Sequence, residues 1–242
     1  MATVVQPITY RPKRGGADCQ LHSGDHLSQK EFHRRYLAYP DKARIELVGG
    51  IVYMAPPLGL PHSDHDVPFT ALFWLYESAT PGVHAAHNAT VILANQSEPQ
   101  PDLLLRILPE HGGQSRTKGL YVAGAPELVL EVAHSSVALD LHAKKDDYQE
   151  AGVREYIVVC IEEREVRAFD LTAGTALKPD KKGVFKSGAF AGLWLDTAAL
   201  FRGDKKRMIQ TLEDGLATPE HAAFVKQLAS KRSRTKRRTQ DR

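Results

Sequence analysis

The sequence predicts an α/β (α+β) domain in which helices flank a mixed central β-sheet. Three observations lead there. "PELVLEVA" carries a nearly unbroken apolar run over 128–133, the pattern of a strand covered on both faces. A helical pattern, "LDLHAKKDDYQEAG", follows it and leads to a second apolar run, "REYIVVCI". Helical stretches also precede these strands and end the chain, an order that differs from the regular alternation of a dinucleotide-binding fold. With 242 residues, 42% hydrophobic and 25% charged, the chain can bury one sizeable core.

In chain order, residues 1–27 read as a loose arm, rich in Gly, Pro and polar residues without periodicity. "SQKEFHRRYLAY" predicts a helix with Ser28 as N-cap and Glu31 completing a capping box, and Phe32, Tyr36 and Tyr39 share one face. "ARIELVGGIVYMA" predicts a hairpin, because Gly49-Gly50 supplies the positive φ angles of a tight turn. Apolar residues recur at helical spacing from Val67 to Tyr76, and Pro68 places the start of the regular helix near itself. "GVHAAHNATVILA" predicts extended chain turning at Asn88, and "QPDLLLRIL" a strand after Pro101. "PELVLEVA" is the most buried strand, and the helix beyond it stops at Gly152. "REYIVVCI" and "REVRAFDL" pair about Glu162-Glu163, and Thr218-Pro219 starts a terminal helix. Residues 28–204 read as the main domain and 205–242 as a C-terminal helix with a basic tail.

Several function classes have no support in the sequence. There is neither GxGxxG nor GxxxxGK[ST], so nucleotide-phosphate chemistry lacks a motif. Cys19 and Cys160 are far apart and outside any CxxC or Cys/His spacing, which argues against a disulfide framework or a structural zinc. The N-terminal stretch lacks a signal-like apolar run and no segment is apolar enough to span a bilayer, so the expectation is a cytoplasmic protein with no membrane partner. The net charge of +3 conceals an asymmetry. Lys231, Arg232, Arg234, Lys236, Arg237, Arg238 and Arg242 crowd the last residues against Asp241 alone, leaving a mildly acidic body. Such a block reads as a solvated, poorly ordered tail whose field attracts a polyanion.

Glu131 interrupts the most apolar strand, and a buried ionised carboxylate calls for a cation. Glu46 in "RIELVGG", Asp102 in "PQPDLLL" and Lys144 or Lys145 in "HAKKDDY" also lie at or beside apolar elements. Converging carboxylates suit a hard, oxygen-preferring cation such as Mg²⁺ or Mn²⁺, and a neighbouring lysine can orient or deprotonate water. Structural alternatives stand beside this reading. Asp102 could cap a turn, Glu46 could face solvent opposite Arg44, and Glu131 could simply pair with Lys144. His62 and His65, flanked by Asp64 and Asp66, suggest zinc only weakly, since HxxH alone needs further ligands. His84 and His87, three apart on a strand, point to opposite faces.

The ordered series "IELVGGIVYMAPP", a following histidine best matched by His65, "EPQPDLLLRI", "PELVLEVAHSS" and "LDLHAKKDDYQEAGVREYIVV" resembles the Uma-two restriction endonuclease family, a branch of the PD-(D/E)XK nuclease superfamily. The resemblance runs from about Ser28 to Asp170 and implies a restriction-endonuclease-like core with a Mg²⁺- or Mn²⁺-dependent phosphodiesterase site. It assigns Asp102 and Glu131 as the paired acids, Glu46 as the upstream acid, and all three as metal ligands. The superfamily often places its lysine two residues after the second acid, where this chain has Ala133. The resemblance takes Lys144 instead, four residues before Tyr148, while helical periodicity by itself leaves Lys144 and Lys145 equivalent. Departures from the family pattern fall at His134-Ser135, Ile157 and Cys160 and bear on strand-end geometry.

The function implied is a metal-dependent DNA endonuclease. The alternative is a catalytically inactive nucleic-acid-binding or partner protein on the same fold, and an RNA or repair nuclease would share the chemistry. A homodimer is compatible with either. No base-reading motif is present.

Overall fold

The computed structural model describes residues 19–39, 44–93 and 96–240. The expected N-terminal arm lies largely outside the described residues. Its described part, 19–27, runs beside the first hairpin, with Leu27 N–H donating to the Gly50 carbonyl and Leu21 buried at 1% exposure.

Helix α1 (Gln29–Ala38) begins as the sequence predicts, with the Ser28 hydroxyl accepting from Glu31 N–H. The Glu31 carboxylate does not close the capping box. It accepts instead from Arg34 and Arg35, which offer stronger, charged donors. β1 (Ile45–Val48) and β2 (Ile51–Met54) form the hairpin, turning on Gly49 and Gly50 at φ 58° and 79°. Ile45 and Leu47 pack with Phe32 and Val52 in a small core, which leaves Glu46 on the opposite face of β1.

Helix α2 spans Leu60–Ala79, so it starts eight residues before the expected position and contains Pro68 in its interior. Pro61 supplies the first-turn proline. An interior proline costs about 3 kcal/mol, and burial of Phe69, Leu72, Phe73 and Tyr76 against the sheet offsets it.

The central sheet has six strands in the order β11-β10-β9-β8-β5-β3. They are β3 (Val83–His87), β5 (Leu103–Ile107), β8 (Leu128–Ala133), β9 (Glu155–Cys160), β10 (Glu165–Asp170) and β11 (Thr175–Leu177). Every neighbouring pair is antiparallel except β8 and β9, which are parallel. A parallel pair needs a crossover. Here it runs through α3 (Val137–Leu139), a π-helical turn (Asp140–Lys144) and α4 (Lys145–Ala151), ending at Gly152 with φ 91°.

One face of this sheet, with Leu103, Leu105, Leu130 and Ile157, packs on α2 and the C-terminal helices. The other, with Leu104, Val129 and Val158, packs on Tyr148 and on β4 (Val91–Ile92) and β7 (Tyr121–Ala123). Glu131 shares this second face through strand alternation with Val129 and Ala133. The last helices are α5 (Thr197–Arg202), α6 (Lys205–Leu216) and α7 (Pro219–Gln240). The basic stretch expected to be a poorly ordered tail continues α7 through Gln240, consistent with its Lys and Arg content and its lack of breakers.

Candidate active site

Glu46, Asp102, Glu131 and Lys144 line one pocket, together with Arg44, His62 and Asp140. Four elements bring them together. The hairpin contributes Arg44 and Glu46, α2 contributes His62, the sheet contributes Asp102 and Glu131, and the crossover contributes Asp140 and Lys144.

Asp102 and Glu131 are locked by the register of β5 and β8, in which Leu103 faces Leu130. Asp102 N–H donates to Glu131 Oε2 at 3.3 Å, and Val132 N–H donates to Asp102 Oδ2 at 2.7 Å. Each acid therefore sits on the other strand's backbone. Asp102 also faces Arg44 Nη1 at 3.0 Å and His62 Nε2 at 3.2 Å. Burial would raise its pKa, but the His62 hydrogen bond and the charge of Arg44, helped by the Val132 N–H, hold it down at about 2.

Glu46 is buried at 5% exposure, which removes the solvent-facing alternative, and Arg44 turns to Asp102 rather than standing opposite it. Its Oε1 accepts from Gln100 N–H at 2.6 Å. Lys144 Nζ lies between Glu46 Oε2 at 3.0 Å and Glu131 Oε1 at 3.1 Å, and Tyr148 Oη donates to the same Glu131 oxygen at 2.9 Å. Burial raises the Glu131 carboxyl, and the negative charges of Asp102, Asp140 and Glu46 add to the effect against the opposing pull of Lys144. The Lys144 ammonium is held above its ordinary value. Burial alone would lower it, but Glu131, Glu46 and Asp140 outweigh that loss of hydration.

Lys145, the other lysine that periodicity allows, pairs with Asp146 at 3.6 Å and lies over the Phe169 ring, away from the acids. The crossover is π-helical over Asp140–Lys144, and this wider turn puts both Asp140 and Lys144 against the pocket.

The family resemblance points to His65, but the structure brings His62 to the acids. His65 Nδ1 donates to the Pro61 carbonyl at 2.8 Å, and its ring approaches Phe201. One helical turn separates the two, and the early start of α2 gives His62 a helical position facing Asp102. The sequence motifs leave out Arg44 and Asp140 and offer His62 only as a weak zinc ligand. The i, i+4 spacing of Asp140 and Lys144 is the one available signal among them.

Among the described residues, no three acidic, imidazole or thiolate side chains stand at the mutual spacing of a metal cage. Within the pocket, the position between Glu46 and Glu131 is taken by the Lys144 ammonium. The donor set still suits a hard divalent cation. Four buried acids, Glu46, Asp102, Glu131 and Asp140, outnumber the two fixed cations, Arg44 and Lys144. Asp140 Oδ1 is buried without a hydrogen-bond partner.

No curated protein matches the chain. A solved structure described as "a putative nuclease belonging to DUF820" from Anabaena variabilis superposes with a TM-score of 0.58 at 15% identity, covering 73% of this chain and 98% of that one, and so shares the fold. The family described as "Uma2: Putative restriction endonuclease" matches residues 30–198, a span that includes both β-hairpin and sheet acids and the crossover lysine. That match covers well over half of the sequence, and the chain belongs to the Uma2 family.

Proposed function

We propose that the protein is a Mg²⁺- or Mn²⁺-dependent endonuclease that hydrolyses phosphodiester bonds in DNA. The observation that carries this reading is the convergence of Glu46, Asp102, Glu131 and Lys144 in one pocket, from four separate segments of the chain. Asp102, Glu131 and Glu46 would hold the cation, which would supply Lewis acidity toward a phosphodiester.

The chain's own groups then have distinct roles. Lys144 stays protonated, so it enters as a hydrogen-bond donor that orients water or a phosphate oxygen and not as a free base. Arg44 lines the pocket with a buried Nε that has no hydrogen-bond partner, and its guanidinium offers a fixed positive charge to a phosphate. Tyr148 holds the Glu131 oxygen that also faces Lys144, and burial keeps its hydroxyl protonated. The wall formed by Met54, Pro56, Pro57 and Leu58 is apolar, with Leu58 54% exposed, and fits sugar and base surfaces beside the phosphate.

Incubation of the purified protein with supercoiled plasmid in Mg²⁺, Mn²⁺ or EDTA tests this function. Nicked and linear products in either metal and none in EDTA are expected. Intact plasmid under all three conditions, with DNA binding retained, would favour the inactive binding protein. A preference for RNA in the same assay would redirect the substrate.

A further inference from the structure

An ammonium group has three hydrogens to place. Lys144 Nζ is ringed by three carboxylates, with Glu46 Oε2 at 3.0 Å, Glu131 Oε1 at 3.1 Å and Asp140 Oδ1 at 3.6 Å. The first two are acids already assigned to the cation. The third is not, and its condition differs. Asp140 is 2% exposed, its Oδ2 accepts from the Ser136 hydroxyl at 2.5 Å, and its Oδ1 is buried with no hydrogen bond. An unmade hydrogen bond on a buried carboxylate is costly, so the open oxygen needs a reason.

We propose that Asp140 is the reserve counter-ion of Lys144, receiving the ammonium on its open Oδ1 when Glu46 and Glu131 turn to a divalent cation. This rests on the metal reading of the pocket. A cation drawn onto Glu46 and Glu131 removes both hydrogen-bonded partners of Lys144, and the ammonium, 4% exposed, has little water to replace them. Asp140 lies four residues before it on the same crossover, so the side chain can transfer without moving the backbone. Asp140 itself stays put, because Ser136 holds its other oxygen and Tyr156 Oη donates to its carbonyl at 3.0 Å. The lysine thus remains charged and facing the pocket after the exchange. Asp140 is in this sense a positioning residue that acts through Lys144.

Calorimetric titration with Mg²⁺ of the full chain and of Asp140→Asn tests the inference. The variant keeps the shape and loses the charge. Binding weakened by about tenfold or more is expected, with melting close to the parent. Any lost anion could weaken cation binding through its field alone, so the deciding measurement adds Lys144→Met. With no ammonium to receive, Asp140→Asn should cost little further affinity in that background. A penalty that persists there undiminished, or a folded Asp140→Asn protein that binds Mg²⁺ like the parent, overturns the proposal. Should Asp140→Asn fail to fold, Ser136→Ala, which frees Asp140 from its anchor, should lower Mg²⁺ affinity in the same direction by a smaller factor, and parent-like affinity overturns it. A parent that binds no divalent cation removes the metal reading and the inference with it, whereas parental binding with an unaffected variant removes the inference alone.

Discussion

Buried carboxylates sit at both ends of the parallel β8–β9 pair, and their partners differ. At one end, Glu127 accepts from Ile107 N–H at 2.7 Å and Gln114 N–H at 3.1 Å, and Glu155 accepts from the Ser187 hydroxyl at 2.5 Å and from Gly188 and Ala189 N–H at 2.6 and 3.1 Å. At the other, Glu131 faces Lys144, Tyr148 and further acids on a pocket wall. Burial raises the pKa of all three. Burial and a perturbed pKa are therefore poor markers of a functional acid here. Glu127 and Glu155 are satisfied by fixed neutral dipoles that tie loops to the sheet. Glu131 is instead balanced by the charge of the Lys144 ammonium among further acids.

The largest test of this contrast exchanges charge at each end. Asp102→Asn and Glu131→Gln should lower cleavage by roughly 10²–10³-fold or more and weaken Mg²⁺ binding, while Glu155→Gln leaves Mg²⁺ binding at the parental level. Calorimetry on the three folded variants reads the result. Undiminished metal binding in both site variants would erase the distinction.

Next come the lysines. Removing one partner from a buried ion pair costs about 3–5 kcal/mol, so Lys144→Ala should lose both cleavage and metal-free stability, with Mg²⁺ restoring part of the stability by taking up the surplus charge. Lys145→Ala, whose side chain is 27% exposed, should stay within about 1 kcal/mol of the parent in denaturant titration. The reverse ranking would place the wrong lysine at the site.

At the structural end, Glu155→Gln can keep an oxygen on the Gly188 and Ala189 N–H groups but turns its NH₂ toward the Ser187 hydroxyl, which loses its acceptor, and should destabilise by about 1–3 kcal/mol with no metal dependence. A loss that Mg²⁺ reverses would mean that the two ends are not separate.

A pH series sharpens the comparison further. Burial pushes Glu131 from 4.5 up to about 8, so the folded protein holds a proton that the unfolded chain releases. Its contribution to stability is therefore present below about 4.5 and fades as pH rises toward 8. Asp102, lowered to about 2, works in the opposite sense and contributes above 3.8, losing that contribution on acidification. In EDTA, melting temperature should decline between pH 5 and 8 more steeply in the parent than in Glu131→Gln. Identical slopes would contradict the shift.

The smallest effect lies outside both regions. Truncation after Ser230 removes the basic stretch, and the salt dependence of DNA binding should become shallower by roughly 0.9 for every phosphate that stretch neutralises. Superimposable isotherms across a salt titration would show that it neutralises none.

The elements legible in the sequence are those whose cause is local. Ser28 before α1, Gly49-Gly50 in the hairpin, the apolar run of β8 and Gly152 after α4 each act within a few residues, and each appears where the sequence predicts it. Pro68 misleads because a local breaker is outweighed by burial of Phe69, Leu72 and Phe73 against a sheet formed elsewhere in the chain. The oddity of Glu131 in an apolar strand is likewise visible, but it does not set Glu131 apart from Glu127 or Glu155, because their backbone donors come from distant loops. By itself the sequence determined the principal strands, the hairpin, the helix between the two most apolar strands and the residue types that could hold a cation. The family resemblance already chose Lys144 where periodicity leaves it equivalent to Lys145, and only the tertiary structure decided that His62 rather than His65 faces the acids and that Arg44 and Asp140 join them. Side-chain direction one helical turn apart depends on where α2 starts and on the π-turn of the crossover, and those are set by packing on the sheet, which no short window of sequence contains.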